Sequence, residues 1–513
     1  MPSLFRVKSL DLLMSEAEQS EGRLRRALGP VQLTAMGIGA VIGAGIFSSV
    51  GTAAAGGASH LGAGPALVLS FIMVAIACGF AALCYAEFAA MVPVAGSAYT
   101  YAYATLGELI AWIIGWDLII EYAIGNVAVA ISWSGYFQEL LRGFGMAYPE
   151  WLGIDYRSAA QAARQIAEAR ASGVGIETLG SIAQRSAQAL ADAPRVAGIP
   201  IVLDLLAFLI VLLVTWVLVR GIRESAWLNS SMVALKLGII AFFVIVGAFY
   251  VKPANWVPFA PNGFRGVSSA AAIIFFAYIG FDAVSTAAEE TRNPQRDMPI
   301  AMIASLAICT VIYIAVAIVL TGLLPWRELG TAEPLATAFS MLGMNWAAGV
   351  ISLGAVFATT SVLVVFQLGQ PRIFFSMARD GLLPPWASRV HPKYRTPHVT
   401  TIITGLFVGL FAAIANINEV VELTNIGTLF AFVLVALGII VLRYTDPDRH
   451  RPFRTPFVPL VPLLAVVTCL YLMIQLPWVT WRRFIYWLAI GLAIYGLYGY
   501  SHSRLGAKSA KAS

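Results

Sequence analysis

A chain of 513 residues with 59% hydrophobic and only 12% charged side chains carries too much apolar surface for a soluble globular protein. Its formal net charge of +6 is spread through short polar stretches between apolar runs, so we exclude nucleic acid as a partner. The composition predicts an all-α polytopic protein whose surroundings are the lipid bilayer.

Apolar stretches of about 20 residues, enough to cross the roughly 30 Å hydrocarbon core of a bilayer, recur along the chain. We predict twelve transmembrane segments, numbered 1 to 12 in chain order: residues 31–55, 66–91, 107–140, 200–219, 226–250, 266–289, 298–322, 345–370, 398–415, 421–443, 458–476 and 482–500. They predict a transporter domain at residues 29–500, with an N-terminal tail at 1–28 and a C-terminal tail at 501–513.

Lys and Arg concentrate in the loops that lie on the same side as both tails in this topology. Because basic loops remain cytoplasmic, both tails are predicted to lie in the cytoplasm and the protein in the plasma membrane, which is the inner membrane of a bacterium. The long connection 141–200 is then extracytoplasmic, and its Ala-rich sequence predicts two short amphipathic helices. A regulatory role for this connection and a small membrane partner both stay open.

The four cysteines, Cys78, Cys84, Cys309 and Cys469, lie inside apolar segments. This placement predicts free thiols that take part in packing rather than a disulfide framework.

Segment 1 contains the stretch GIGAVIGAGIF, Gly37 to Phe47, which has four glycines. One interpretation is a small-residue face for close helix packing. Segment 6 contains FFAYIGFDAVS, in which Gly280 and Asp282 interrupt an apolar helix at the corresponding place. Helices broken at corresponding positions of two halves are typical of inverted repeats with a solute site at mid-membrane. We therefore predict two inverted five-helix repeats, segments 1–5 and 6–10, with segments 1 and 6 unwound and two peripheral helices.

Unwound backbone exposes N–H and C=O groups that lipid leaves unsatisfied and a polar solute satisfies. The N-terminal end of a half-helix attracts an anion, and the C-terminal end attracts a cation. An amino acid carries a carboxylate and an ammonium one carbon apart, so this arrangement favours an amino acid over a sugar or a lipid.

The segments GIGAVIGAGIF, GWDLIIEY, FFAYIGFDAVSTAAEETRNPQRDMP and GQPRIFFSMARDGLLP resemble the signatures of the cationic amino acid transporter family, within the amino acid, polyamine and organocation superfamily. The resemblance implies that backbone N–H groups bind the substrate carboxylate at Ile42, Gly43, Ala44 and Gly45. It implies that carbonyl groups bind the substrate amine at Phe276, Ala277 and Ile279, and that Phe276 closes over the solute. Relatives often have Thr at the position of Ala44, so a hydroxyl contact to the carboxylate is absent here.

Lys236 lies within segment 5, where a charged side chain is unfavourable by about 2.5 to 3.5 kcal/mol on insertion scales. It either extends to the membrane surface or has a role inside. Many superfamily members hold sodium between segments 1 and 8, and in proton-coupled relatives a segment 5 lysine takes its place, as the resemblance implies for Lys236. Phe357, Thr360 and Ser361 supply the i, i+3, i+4 spacing of the segment 8 ligands. We therefore predict sodium-independent transport in which protonation of Lys236 couples or gates the cycle.

Three acidic side chains within predicted segments 3 and 6 are candidates for a functional role. Glu121 resembles the family's intramembrane carboxylate, and it exchanges a proton, pairs with Lys236 or hydrogen-bonds an aromatic hydroxyl such as that of Tyr278. Asp117, one turn earlier, is expected to meet water or a helix end. Asp282 either receives a cationic substrate side chain or braces the unwound turn.

An intramembrane enzyme is the first rival, but the five histidines lie in loops or tails and neither HExxH nor a nucleophile elbow occurs. A Walker sequence is also missing, and we predict no cofactor and no metal site. The sequence predicts a secondary active transporter of L-amino acids that is proton-coupled and works by alternating access. An amino acid exchanger, a sensor without net transport and a channel are the alternatives.

Overall fold

The computed structural model describes residues 6–8, 28–57, 60–91, 98–146, 148–172, 181–221, 226–394 and 396–505. Within these ranges the chain is mostly helical, and each predicted segment corresponds to a helix or a broken helix. Segments 1, 3, 6 and 12 are interrupted or change helix type, with these bounds: Pro30–Val41, Gly45–Ser49 and Val50–Ala55; Glu108–Ile119, Ile120–Ile124 and Gly125–Gly143; Gly263–Ile274, Phe275–Tyr278 and Asp282–Glu290; Trp478–Ile494, Tyr495–Gly499 and Tyr500–His502.

The other eight segments are single helices in this structure. In chain order they are Leu67–Met91 for segment 2, Leu205–Arg220 for 4, Ala226–Ala248 for 5, Pro294–Leu323 for 7, Asn345–Arg379 for 8, His398–Ile414 for 9, Ile417–Thr445 for 10 and Leu460–Gln475 for 11. Two shorter helices lie between segments, Ala98–Thr105 before segment 3 and Pro334–Met341 before segment 8.

Among the described residues, eight helices are long and apolar enough to cross a membrane. The count is nine if Pro30–Val41 and Gly45–Ala55, which meet at an angle of 44°, form one broken span. The helices of segments 4, 9 and 11 are apolar but shorter, at 16, 17 and 16 residues. The protein is therefore a helical polytopic membrane protein, and the full count of twelve spans stays a prediction.

The segments pack so that segment 6 lies at the centre. Segment 7 packs on segments 1 and 2, segment 3 on segment 8, segment 4 on segment 9, and segment 10 on segment 11. Small residues permit this close packing, since a Cβ at Gly405 of segment 9 would overlap Thr215 of segment 4. The most apolar part of segment 6 is fully buried, which places its break away from lipid.

The long connection forms a small cap with its own core. Its helices, Tyr156–Ala171 and Ser181–Asp192, are the two that the sequence predicts, and the strands Arg195–Val196 and Ile199–Pro200 pair antiparallel after them. Glu419, in the first turn of segment 10, forms ion pairs with Arg157 of the cap and, at 3.1 Å, with Arg483 of segment 12. The cap is thus attached to the spans beneath it.

All four cysteines are free and buried, as the sequence predicts.

Candidate functional site

The break in segment 1 is short and sharply defined. The first helix ends at Val41, Ile42 is extended (φ −76°, ψ 97°), and the chain becomes helical again at Ala44. The Ile42 N–H donates to the Ile38 carbonyl at 2.9 Å. Ile42 therefore differs from its predicted role, because its N–H completes the first half-helix and is engaged. The N–H groups that begin the second half-helix belong to Gly43, Ala44 and Gly45, where a helix lacks internal acceptors.

The break in segment 6 depends on one glycine. The chain leaves the Phe275–Tyr278 turn, becomes extended at Ile279 (φ −62°, ψ 135°), and passes through Gly280 at φ +117°. Residues that have a side chain rarely adopt that φ. A Cβ at Gly280 would also lie only 2.8 Å from the Ala40 carbonyl oxygen. The Gly280 N–H donates to Asp282 Oδ1 at 3.3 Å, so Asp282 braces the turn in the way that one of its two predicted roles requires.

The two breaks lie against each other and run in opposite directions. Gly280 contacts Ala40, and Gly45 packs so closely on Ala277 that a Cβ on Gly45 would overlap the Ala277 backbone. Residue numbers rise along segment 1 from Ala40 to Gly45 while they fall along segment 6 from Gly280 to Ala277. The broken backbones of the two segments therefore form one antiparallel site.

Side chains from three other segments form hydrogen bonds with the backbone at these breaks, and none of the three was predicted from the sequence. The Tyr313 hydroxyl of segment 7 lies 3.0 Å from the Val41 carbonyl and 2.8 Å from the Ala277 carbonyl. Asn425 of segment 10 donates to the Ala272 and Ile273 carbonyls at 2.7 and 2.9 Å, and Tyr136 of segment 3 donates to the Phe47 carbonyl. Each is a polar side chain in an apolar segment, which is the signal that would have identified them.

The predicted role of Ala277 stays a prediction. Its carbonyl lies within hydrogen-bond distance of the Tyr313 hydroxyl, so one of its two lone pairs is engaged, whereas no such side-chain contact is shown for the Phe276 and Ile279 carbonyl groups among the described residues. Of the three aromatic side chains at the break, Phe276 retains 5% exposure, whereas Tyr278 and Phe281 are fully buried.

Lys236 ends at the break in segment 1. Its ammonium donates to the Gly39 carbonyl at 2.7 Å and to the Ile42 carbonyl at 3.2 Å, and its side chain is only 1% exposed. The interpretation in which Lys236 extends to the membrane surface is therefore wrong. The ammonium provides positive charge at the C-terminal end of the first half-helix, where carbonyl groups attract a cation.

Thr360 does not lie on the face of segment 8 that meets Gly43 of segment 1. Val362 is the residue that meets Gly43, since a Cβ on that glycine would lie 2.9 Å from Val362 Cγ2. At 100° per residue, Thr360 lies on the opposite side of the helix from Val362. Thr360 instead accepts from the Trp133 indole of segment 3 at 2.9 Å, and Phe357 is 43% exposed. Thr359, which is fully buried, is the hydroxyl residue on the same side as Val362. The predicted role of Ser361 stays a prediction.

Glu121 and Asp282 form a buried pair of carboxyl groups. Both are at most 5% exposed, and the two carboxyl groups lie close enough for the charge of one to act on the other. Glu121 therefore pairs with neither predicted partner, because Lys236 binds segment 1 carbonyls and Tyr278 donates to the Phe71 carbonyl at 3.1 Å. Two adjacent buried carboxylates repel each other unless a proton or another cation lies between them.

Asp117 is buried rather than solvated as expected. It is 1% exposed, and neither carboxyl oxygen has a hydrogen-bond partner among the described residues. A Cβ on Gly427 of segment 10 would lie 2.9 Å from Asp117 Oδ1, so a glycine there leaves room for the carboxyl group. An unpaired acid at this depth is a candidate for proton binding.

Comparison with known proteins gives the family. A family model described as amino acid permease matches residues 28–495. The chain belongs to the amino acid permease family.

The relatives of this permease are named for different transported solutes. It is 46% identical to a branched-chain amino acid permease of Bacillus subtilis, over 98% of this chain and 99% of the relative. It is 44% identical to a methylthioribose transporter of the same organism, over 98% and 100%. It is 38% identical to a vacuolar cationic amino acid transporter of Arabidopsis thaliana, over 87% and 64%. The predicted resemblance to cationic amino acid transporters is therefore confirmed, and these relatives are transporters rather than enzymes.

In this permease the antiparallel breaks offer two kinds of backbone group to a solute. The half-helix beginning at Gly43 presents N–H groups suited to an anion, and the extended residue Ile279 and its neighbour Phe276 present carbonyl groups suited to a cation. The Ser48 and Ser49 hydroxyl groups are buried one turn further along, without a hydrogen-bond partner among the described residues. The arrangement fits a small zwitterion.

Proposed function

We propose that this permease is a secondary active transporter that binds an L-amino acid between the breaks of segments 1 and 6 and moves it without sodium, driven by protons. The observation that carries the proposal is the Lys236 ammonium, which donates to the Gly39 and Ile42 carbonyls beside the antiparallel breaks.

The substrate carboxylate binds the N–H groups of Gly43, Ala44 and Gly45, and the substrate ammonium binds the carbonyl groups of Phe276 and Ile279. Lack of a hydroxyl at Ala44 leaves the carboxylate with backbone donors alone. Phe276 closes over the bound amino acid, because it is the aromatic side chain at the break that keeps some exposure. Closure of this kind separates the site from water on one side during the cycle.

Lys236 replaces a bound cation. A sodium ion binds carbonyl oxygens through its single positive charge. A lysine ammonium carries the same charge and binds the same carbonyl groups by donating hydrogen bonds. Because the ammonium is already there, sodium has neither the space nor the charge balance to bind. Loss and return of the lysine proton then changes the attraction between segment 5 and segment 1, which couples protonation to opening.

Glu121 and Asp282 form a second proton-binding element. A proton shared between their carboxyl groups relieves repulsion when the substrate side chain is neutral. A cationic substrate side chain would have to displace that proton, and Asp282 would also have to release the Gly280 N–H. This favours a neutral amino acid, in agreement with the branched-chain cargo named for the relative at 46% identity.

The architecture that serves this function has twelve spans. Segments 4, 9 and 11, at roughly 24 Å, cross the membrane with segments 1–3, 5–8, 10 and 12. The opposite directions of segments 1 and 6 at the breaks support inverted repeats of five segments each, followed by two peripheral helices, and alternating access by movement of one group of helices against the other. Basic loops and bacterial relatives support a location in the plasma membrane with both termini in the cytoplasm.

Counterflow into liposomes tests the substrate class. Purified protein is reconstituted into liposomes loaded with unlabelled solute, and entry of the same labelled solute is measured for isoleucine, alanine, arginine and methylthioribose, with protein-free liposomes as the control. We expect isoleucine and alanine to enter and arginine to be excluded. Entry of arginine alone would contradict the neutral substrate, and entry of methylthioribose alone would contradict an amino acid substrate. Binding without entry of any solute would make the protein a sensor.

A further inference from the structure

One end of segments 4 and 9 carries a basic and aromatic surface that the transport site does not use. Along segment 4 the exposed side chains Leu209, Leu213 and Trp216 are 49%, 55% and 54% exposed, and the spacing of four and three residues puts them in one stripe. Exposed apolar side chains on a membrane span face lipid tails. Arg220 continues this stripe one turn further, at the end of the helix.

Arg220 is held at the edge of that lipid-facing stripe. Its guanidinium carbon lies 4.1 Å from the centre of the Trp216 ring, a cation–π distance. Tryptophan is typical of the boundary between lipid tails and headgroups. The pair therefore places a fixed positive charge at headgroup level, directly above the path of an acyl chain.

The start of segment 9 adds a second pair of the same kind. Thr396 donates to the Val219 carbonyl at 2.9 Å, which ties the loop before segment 9 to the end of segment 4. In that loop the Lys393 ammonium lies 5.5 Å from the ring of Tyr394, and a Cβ on Gly221 would lie 3.8 Å from the Tyr394 carbonyl oxygen. Lys393 and Arg220 thus lie on neighbouring pieces of chain.

The described residues of these two pieces of chain carry basic side chains only. Within residues 205–221 the one charged side chain is Arg220, and within residues 381–394 the charged side chains are Arg389 and Lys393. The surface therefore complements an anion that also has an apolar body. Juxtamembrane basic clusters attract anionic lipid headgroups by about 1 kcal/mol for each Lys or Arg.

We propose that Arg220 and Lys393 bind the headgroup phosphate of an anionic phospholipid, whose acyl chain lies along Leu209, Leu213 and Trp216. The lipid is bound outside the transport site, and its binding is independent of the amino acid that the permease carries.

Native mass spectrometry of the purified protein with phosphatidylglycerol or phosphatidylcholine tests this site. We expect the wild type to retain phosphatidylglycerol and to lose phosphatidylcholine, and Arg220→Ala to reduce the phosphatidylglycerol-bound fraction by about fivefold. The matched control is Arg327→Ala, because Arg327 stacks on Trp326 at 4.7 Å in the loop between segments 7 and 8. That control is expected to keep the lipid.

Three results would overturn the proposal: equal retention of both lipids, a wild-type level of lipid on Arg220→Ala, or an equal loss on Arg327→Ala. Displacement of the lipid by millimolar inorganic phosphate would show a phosphate site without a role for the acyl chain, which also contradicts it. If Arg220→Ala does not fold, Lys393→Gln replaces an exposed loop side chain and is read by the same criteria.

Discussion

At Gly45 the two broken segments come closest, and a methyl group has no space there. A Cβ would overlap the backbone of Ala277, which is itself part of the break in segment 6. We expect Gly45→Ala to force the breaks apart at about 1–3 kcal/mol. Substrate affinity, measured by binding of labelled amino acid to purified protein, should fall on the order of tenfold.

Gly79 supplies the matched control for this change. It lies within the helix of segment 2, and a Cβ there would meet no atom within 4 Å. Gly79→Ala should therefore bind substrate like the wild type. Equal affinity of Gly45→Ala and the wild type would contradict the placement of the substrate between the breaks.

Glu121 is predicted to carry a proton with Asp282. Glu121→Gln keeps the size of the side chain and removes the ionisable group, so counterflow should continue while proton-driven accumulation falls by about tenfold, equal to about 1.4 kcal/mol. Both activities are measured in the same liposomes. Glu328→Gln, at an exposed position between segments 7 and 8, is the control. A proportional loss of both activities would show that Glu121 supports structure instead.

Individual residues differ in how far the sequence could predict them. Lys236 stood out because a lone charge in an apolar segment needs a partner, and the structure provides carbonyl groups at a break. Thr360 had the predicted spacing but lies on the other side of the helix from Val362, because spacing fixes which residues share a face and not the direction in which the face points. That direction depends on the packing of segment 8 against segments 1 and 3, which no local pattern encodes.

Among the elements, both described ends of the chain meet at one end of the bundle. Lys8 forms an ion pair with Asp380 at 3.0 Å at the end of segment 8, and the Arg504 N–H donates to the Asp380 carbonyl at 3.1 Å. The Tyr99 hydroxyl donates to Asp380 Oδ2 at 2.7 Å. Asp380 thus joins the N-terminal residues 6–8, a helix between segments 2 and 3, and the end of segment 12.

Asp380→Asn should weaken the attachment of residues 6–8 at this junction. The variant removes the charge that Lys8 binds while it keeps the size of the side chain, so trypsin should cleave after Lys8 several times faster in detergent solution. Cleavage is followed by mass spectrometry. Asp448→Asn, in the exposed loop between segments 10 and 11, should leave the rate unchanged. If Asp380→Asn is cleaved no faster than the wild type, the ion pair does not hold residues 6–8 against the bundle.

Sequence periodicity and length predicted where the helices lie better than they predicted the contacts between helices. The apolar runs gave a helix or broken helix for every predicted segment, because burial in lipid requires helices. The same pattern missed that residues 6–8 are packed against the bundle, since the partner of Lys8 lies 372 residues away. The breaks in segments 1 and 6 were visible as glycines. Tyr313 and Asn425, which bind the backbone at those breaks, were visible only as polar side chains in apolar segments, and that signal does not show which backbone groups they bind.

For the whole molecule, the antiparallel breaks support the proposal that one site serves both sides of a membrane. Segments 1 and 6 run in opposite directions at the breaks, so in the proposed cycle movement of either half-helix opens a different path. Lys236 attaches segment 5 to the break in segment 1, and in the proposed mechanism its proton determines whether that attachment holds. Proton-driven, sodium-independent transport is the central claim that follows.

Accumulation of labelled isoleucine in sodium-free liposomes with an imposed inward proton gradient tests that claim most directly. The wild type and Lys252→Met, whose lysine is exposed beyond segment 5, should concentrate isoleucine above its external level. Lys236→Met should accumulate isoleucine to a level at least about tenfold lower. Accumulation by Lys236→Met equal to the wild type, or accumulation by the wild type only when sodium is added, would contradict the account.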